Sequence, residues 1–265
     1  MPTVADVAAD LAAEHADLDT LVAPLNDEDW SRATPSPGWS IADQIGHLAY
    51  FDRTAALAIT DGERFKADAE AMLERVQADG DDDMTLAEAR AMSPSELLSW
   101  WREGRDALTE AAATLDDATR LPWYGPDMGS KSFLTARLME TWAHGQDIAD
   151  TLGVDREPTD RLRHIAQLGY ITRGWAYVNR GLEPSKIPIQ VSLTAPSGEI
   201  WVWGDDDAPC TVTGRAEEFC QVTTQRRHPA DTDLEVIGAA AIEWMEIAQA
   251  FAGGPTTGPK AGTFS

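Results

Sequence analysis

Apolar residues recur at helical spacing over the first 180 residues, and near residue 185 the period changes to two. That switch divides the chain into two kinds of structure. Val4, Val7, Ala8, Leu11, Leu18, Leu21 and Val22 trace one apolar stripe that Pro24 ends. Further stripes predict helices over 41–60, 63–77, 94–115, 131–151 and 158–180, with a short turn at Asp27–Trp30. Beyond them, residues 187–193, 199–203 and 210–213 alternate in period two and predict strands. Helices follow over 214–225 and 233–251. The organisation expected is an all-helical domain over 1–182, a small α+β domain over 183–252, and a flexible, Gly/Pro/Thr-rich tail over 253–265.

Start and stop signals sharpen several of these boundaries. The breaker-rich Thr34-Pro35-Ser36-Pro37-Gly38 precedes Ser40, which stands at an N-cap position with Asp43 three residues on. Ser93-Pro94-Ser95-Glu96 places proline in a first helical turn, and Gly153 and Gly181 close two later helices.

Composition excludes some functions. With 45 acidic against 21 basic residues the formal charge is −24, and the sequence holds no basic stripe for a phosphate backbone, so no nucleic-acid partner is expected. The N-terminus has neither a basic start nor an unbroken apolar run, and no stretch of about 18 uncharged apolar residues occurs. The expectation is a cytoplasmic protein with no membrane partner. Cys210 and Cys220 read as buried or free thiols. The runs Asp81–Asp83 and Asp205–Asp207 lack EF-hand spacing and read as solvated loops.

Chemistry concentrates on a few residues. Glu140 and His144, four apart on the 131–151 helix, leave one face together, on a stripe shared with Phe133, Arg137, Thr141 and Ile148. The same spacing also describes an ordinary surface pair. His47 lies on the flank of the Ile41, Ile45, Leu48 stripe, where a histidine bonded to a carbonyl is the plain alternative. Gly46 beside it costs about 1 kcal/mol relative to alanine inside a helix, and so implies a close backbone approach or open space there. If the two helices are neighbours, His47, Glu140 and His144 converge as two imidazoles and a carboxylate, leaving a metal position open for water or substrate. Asp43 and Asp147 are placed to orient the imidazoles, or to lie on a solvated face.

Pro37-Gly38-Trp39-Ser40-Ile41…His47-Leu48, followed far along by Glu140-Thr141-Trp142-Ala143-His144…Asp147, resembles the mycothiol-dependent maleylpyruvate isomerase family. The resemblance implies a DinB-like up-down four-helix bundle with a small α+β, sterol-carrier-like domain after it. It implies a divalent metal, usually zinc, held by His47, Glu140 and His144. Gly214-Arg215-Ala216-Glu217-Glu218-Phe219 resembles the family's strand-to-helix turn. Arg226, with Arg227 beside it, falls near an arginine that faces the family's active site.

The activity so implied is a transferase or isomerase dependent on a low-molecular-weight thiol, mycothiol, acting on a small electrophile through a metal-bound thiolate. Arg137 and Arg226 would bind carboxylates of thiol or substrate. A hydrolase using metal-bound hydroxide, a non-haem iron oxygenase, and a non-catalytic metal- and ligand-binding protein are the other readings. The last would line its pocket with Trp100-Trp101, Trp123-Tyr124 and Trp201–Trp203.

Overall fold

The computed structural model describes residues 2–79 and 84–264. It falls into two compact units, Met1–Asp155 and Arg156–Ser265. The Asp81–Asp83 run lies outside the described residues.

In the first unit, four long helices α1 (Val4–Val22), α3 (Ile41–Thr60), α5 (Pro94–Ala112) and α6 (Ser130–Leu152) pack in a ring. The ring runs α1 to α6 to α3 to α5 and back to α1. The short α2 (Asp27–Trp30) and the outer α4 (Gly62–Asp79) lean on α3. Local chemistry starts these helices. Thr3, Asn26, Ser40 and Ser93 are N-caps whose side-chain oxygens accept from backbone N–H groups, each completing a reciprocal box with the acid three residues on. Gly153, in the left-handed region at φ 68°, ends α6. Leu18, Val22, Trp30, Ile41, Ile45, Leu48, Leu97, Trp101 and Ile148 fill the core. The sequence shows no strand before 180, yet a two-residue ladder, β1 (Arg120–Leu121) with β2 (Met128–Gly129), closes the loop ahead of α6.

In the second unit, the sequence predicts one helix over 158–180. The structure divides it at Thr172 into α7 (Leu162–Ile171) and α8 (Arg173–Val178). Thr172 Oγ1 donates back to the carbonyls of Leu168 and Gly169, a contact that bends helices, and Gly174 lies two residues on. These helices lie in the second unit because α7 packs on α9 (Ala216–Thr223) and α8 on α10 (Ala239–Ile247); the units therefore divide at residue 155, not at 182.

The sheet order is β4-β3-β5-β6, with β3 (Ile189–Thr194) parallel to β5 (Cys210–Arg215) and antiparallel to β4 (Ile200–Trp203). Ile189, Val191 and Leu193 alternate inward as period two requires. β6 (Glu235–Ile237) falls where the sequence predicts the start of a helix. Gly238, at φ 92°, turns the chain from β6 into α10, and a β-carbon there would collide with Cys210. Residues 253–264, expected to be a flexible tail, are laid along this unit: Asn179 donates to Gly253 O, Gly262 N to Asp231, and Arg227 covers the Phe264 ring. Cys210 and Cys220 are free and buried, and the Asp205–Asp207 run is exposed. Among the described residues no helix is long and apolar enough to cross a membrane.

Gly46 marks a close approach. A β-carbon there would sit 2.5 Å from Ala89 Cβ, in a short 3-10 turn that packs on α3. Helix propensity alone would make Gly46→Ala stabilising, but the collision reverses the sign, to a loss of about 1–3 kcal/mol. Chemical denaturation measures it, and a stabilised variant would contradict the packing.

Asp52 is the deepest charge of the first unit, fully buried, with Arg137 Nη2 at 2.9 Å and His15 Nε2 at 3.2 Å. Burial alone would raise its carboxyl, but His15 and Arg137 outweigh it and hold the group below the ordinary value of 3.8. A depressed folded pKa contributes stability that is present above the unfolded value and is lost as pH falls through the folded one. Asp52→Asn should therefore cost about 3–5 kcal/mol at pH 7, because Arg137 is left buried and unpaired. The gap to wild type should narrow below about pH 4; a gap constant down to pH 3 would rule the pairing out.

Candidate metal centre

The site lies between α3, which carries Gln44 and His47, and α6, which carries Glu140 and His144. His47 Nε2 is 3.3 Å and His144 Nε2 3.2 Å from the same oxygen, Glu140 Oε2. One donor atom from each residue lies within 4.8 Å of the other two. Zinc bonds of about 2.0–2.2 Å in a tetrahedron put neighbouring donors about 3.3 Å apart. The cluster is therefore already close to the spacing a cation would impose.

Hydrogen bonds fix which atoms face the centre. Thr34 Oγ1 donates to Trp39 O and accepts from Gln44 Nε2, so the Gln44 carbonyl must point the other way. It meets His144 Nδ1, which has to be a donor; in the neutral ring that a metal requires, this places the one proton on Nδ1. Nε2 then presents a lone pair toward Glu140 Oε2. Two acceptors at 3.2 Å repel unless a proton or a cation lies between them. This donor set fits a divalent metal: two imidazole nitrogens and one carboxylate, with a further position open.

The electrostatics agree. Burial, then the neighbouring charges of His144 and Arg137, push His47 down from 6.5 to about 4 despite Glu140, so it is neutral with its lone pair available at pH 7. Burial would raise the Glu140 carboxyl; the two imidazoles outweigh it and hold the group well below the usual carboxylate value. Glu140 thus brings a negative charge to the site.

The Pro37-Gly38-Trp39 segment has a structural reason. Trp39 N donates to Ser36 O at 3.1 Å, closing a turn with proline second and Gly38 third at φ 80°, the pattern of a type II turn. That turn delivers the Trp39 ring onto the site, stacked on His144 at 5.8 Å and tilted over His47 at 5.2 Å. Phe51 also packs on His47, with centroids 4.6 Å apart.

The two acids placed to orient the imidazoles have other bonds. Asp43 accepts from Ser40 and Arg90, and Asp147 accepts from Ser36 Oγ at 2.9 Å. Orientation of His144 falls instead to Gln44, which is fully buried and one turn before His47. Its spacing three residues before His47 was the one sequence hint, and it does not separate Gln44 from an ordinary helix residue. Arg137, expected to bind carboxylates, is 3% exposed and engaged by Asp52. Arg226 lies in the second unit, where its Nη1 donates to Thr224 O.

Alanine at His47, Glu140 or His144 should remove most of the bound metal, since two protein ligands hold zinc poorly. Gln44→Leu should keep the ligands but weaken affinity about 10–100-fold by freeing the His144 tautomer. Elemental analysis after dialysis checks both, and a full metal equivalent retained in His47→Ala would overturn the assignment.

Residues 11–149 match the family described as the mycothiol maleylpyruvate isomerase N-terminal domain. Uncharacterized proteins from two strains of Mycobacterium tuberculosis are each 48% identical over 250 residues, covering 94% of this chain and 96% of theirs. Two crystal structures of the mycothiol-dependent maleylpyruvate isomerase, one of a histidine-to-alanine mutant, cover 91% and 86% of this chain, and 94% and 90% of their own. Their TM-scores are 0.57 and 0.59 at 14% and 16% identity, a likeness of fold. The chain belongs to the mycothiol maleylpyruvate isomerase family, whose N-terminal domain it carries over residues 11–149.

Proposed function

We propose that this protein is a mycothiol-dependent isomerase or S-transferase acting on a small electrophile, with a divalent metal, zinc by preference, held by His47, Glu140 and His144. The observation that carries the reading is the convergence of three lone-pair donors on one point between α3 and α6. A cation bound there supplies Lewis acidity that lowers the pKa of a thiol from its free value of about 8.5.

The chain's own residues do the rest. Burial holds His47 neutral, and Gln44 aims the His144 ring. Glu140 offsets half the charge of a divalent ion, leaving a centre that attracts an anion. Trp39 and Phe51 both pack on His47 and limit its exposure. We assign Arg226 to binding a carboxylate of thiol or substrate, so that Arg226→Ala raises KM and leaves metal content unchanged. The ring of long helices supports a DinB-like bundle, and the mixed four-stranded sheet supports a sterol-carrier-like second domain. Two free buried cysteines suit the cytoplasm, where thiols stay reduced.

The protein's own thiols are not candidates for the nucleophile. Cys220 is buried, and burial pushes its thiol well above the usual value; Cys210 is buried in β5. Metal-loaded protein incubated with a conjugated diketo acid should form isomer or adduct only when mycothiol is present, as mass spectrometry can follow. Cys210→Ser and Cys220→Ser should keep the rate and Glu140→Ala should abolish it. Turnover without any thiol would contradict the reading and favour a metal-hydroxide hydrolase.

A further inference from the structure

Three polar rungs cross between α3 and α6, in antiparallel order: Gln44 to His144, His47 to Glu140, and Asp52 to Arg137. The metal donors are His144 of the first rung and the two residues of the second. Gln44 to Asp52 spans about 12 Å of helix and His144 to Arg137 about 10.5 Å, so the outer rungs clamp nearly the same length on both helices.

The last rung is the anchored one. Arg137 Nε and Nη2 both reach Asp52 Oδ1, at 3.2 and 2.9 Å, which leaves Oδ2 to face His15 of α1. Arg105 of α5 in turn donates to the His15 carbonyl, at 3.4 Å. One carboxylate therefore ties α3 to α6 and, through His15, to α1.

Apart from Phe51, which packs on Trp123 and Tyr124, apolar packing gives α3 beyond Leu48 little to register it. Its other buried residues after Leu48 are Ala49, Ala55, Ala56 and Ala58, small side chains that interlock weakly. A slip of one residue would move a ligand about 1.5 Å along the axis, while metal–ligand distances tolerate about 0.2 Å. A buried ion pair adds little net stability against an apolar replacement, and in some systems buried polar groups fix register.

We propose that Asp52 and Arg137 are positioning residues that set the register of α3 against α6 and thereby the metal affinity of His47, Glu140 and His144. Arg137 is on this account a strut, not the carboxylate-binding group expected from the sequence. A second contact supports the same role: the guanidinium lies 5.8 Å from the Phe51 ring, and that ring packs on His47. The inference rests on the metal site proposed above.

The test replaces the whole pair, Asp52→Leu with Arg137→Met, so that neither of its two members is left as an unpaired charge, and reads zinc affinity by competition with a chromophoric chelator. Thermal melting and circular dichroism check the fold. The double variant should fold and melt near wild type, yet bind zinc at least tenfold more weakly. Arg137→Lys, which keeps the charge but loses the two-pronged contact, should show a smaller loss, and it carries the test if the double variant does not fold. Arg102→Met is the control. It breaks the Asp19–Arg102 pair between α1 and α5 and should leave zinc affinity unchanged. Wild-type zinc affinity in a folded double variant, or in Arg137→Lys, would overturn the inference, as would an equal loss in Arg102→Met. Wild-type protein that holds no zinc would instead overturn the metal site itself.

Discussion

The contact on which the site depends is the Glu140 carboxylate oxygen held between two imidazole nitrogens, at 3.3 and 3.2 Å, across the α3–α6 interface. Gln44 takes the proton of His144 on the far side of the ring, and Thr34 fixes Gln44 in turn. Each step is a donor meeting an acceptor until the chain of bonds reaches the centre, where acceptors face one another. A centre built of acceptors is stable with a cation in it. Covering it with Trp39 and Phe51 strengthens the demand, because the same charges interact more strongly away from water.

That arrangement explains why the scaffold invests buried polar groups one turn away. Asp52, Arg137 and His15 are all nearly inaccessible, and none touches a position open to a ligand. Small alanines let α3 lie close against its neighbours, and Gly46 lets it approach the turn at Ala89. Close packing of smooth surfaces leaves axial position underdetermined, and directional bonds supply what shape does not.

How much of this the sequence revealed follows the range of the interaction. Caps at Ser40 and Ser93 and the stop at Gly153 are decided within four residues, and they are legible. The convergence of His47, Glu140 and His144 is legible because Glu140 and His144 share a face by spacing and His47 sits in a recognisable motif. Gln44, Asp52 and His15 act through partners 37 to 100 residues away, and nothing local distinguishes them from ordinary helix residues. The same reason hides β6, which needs β5 for its ladder, and the placement of α7 and α8, which depends on α9 and α10 rather than on their own stripes.

The central claim is a metal centre with a coordination position that a thiol can enter. The direct measurement is the visible and near-ultraviolet spectrum of cobalt-substituted protein titrated with mycothiol. The account predicts one tightly bound cobalt per chain, and a sulfur-to-cobalt charge-transfer band that rises to saturation at one thiol equivalent. Cobalt that binds with no spectral response to the thiol, or a chain that retains no cobalt, would contradict it.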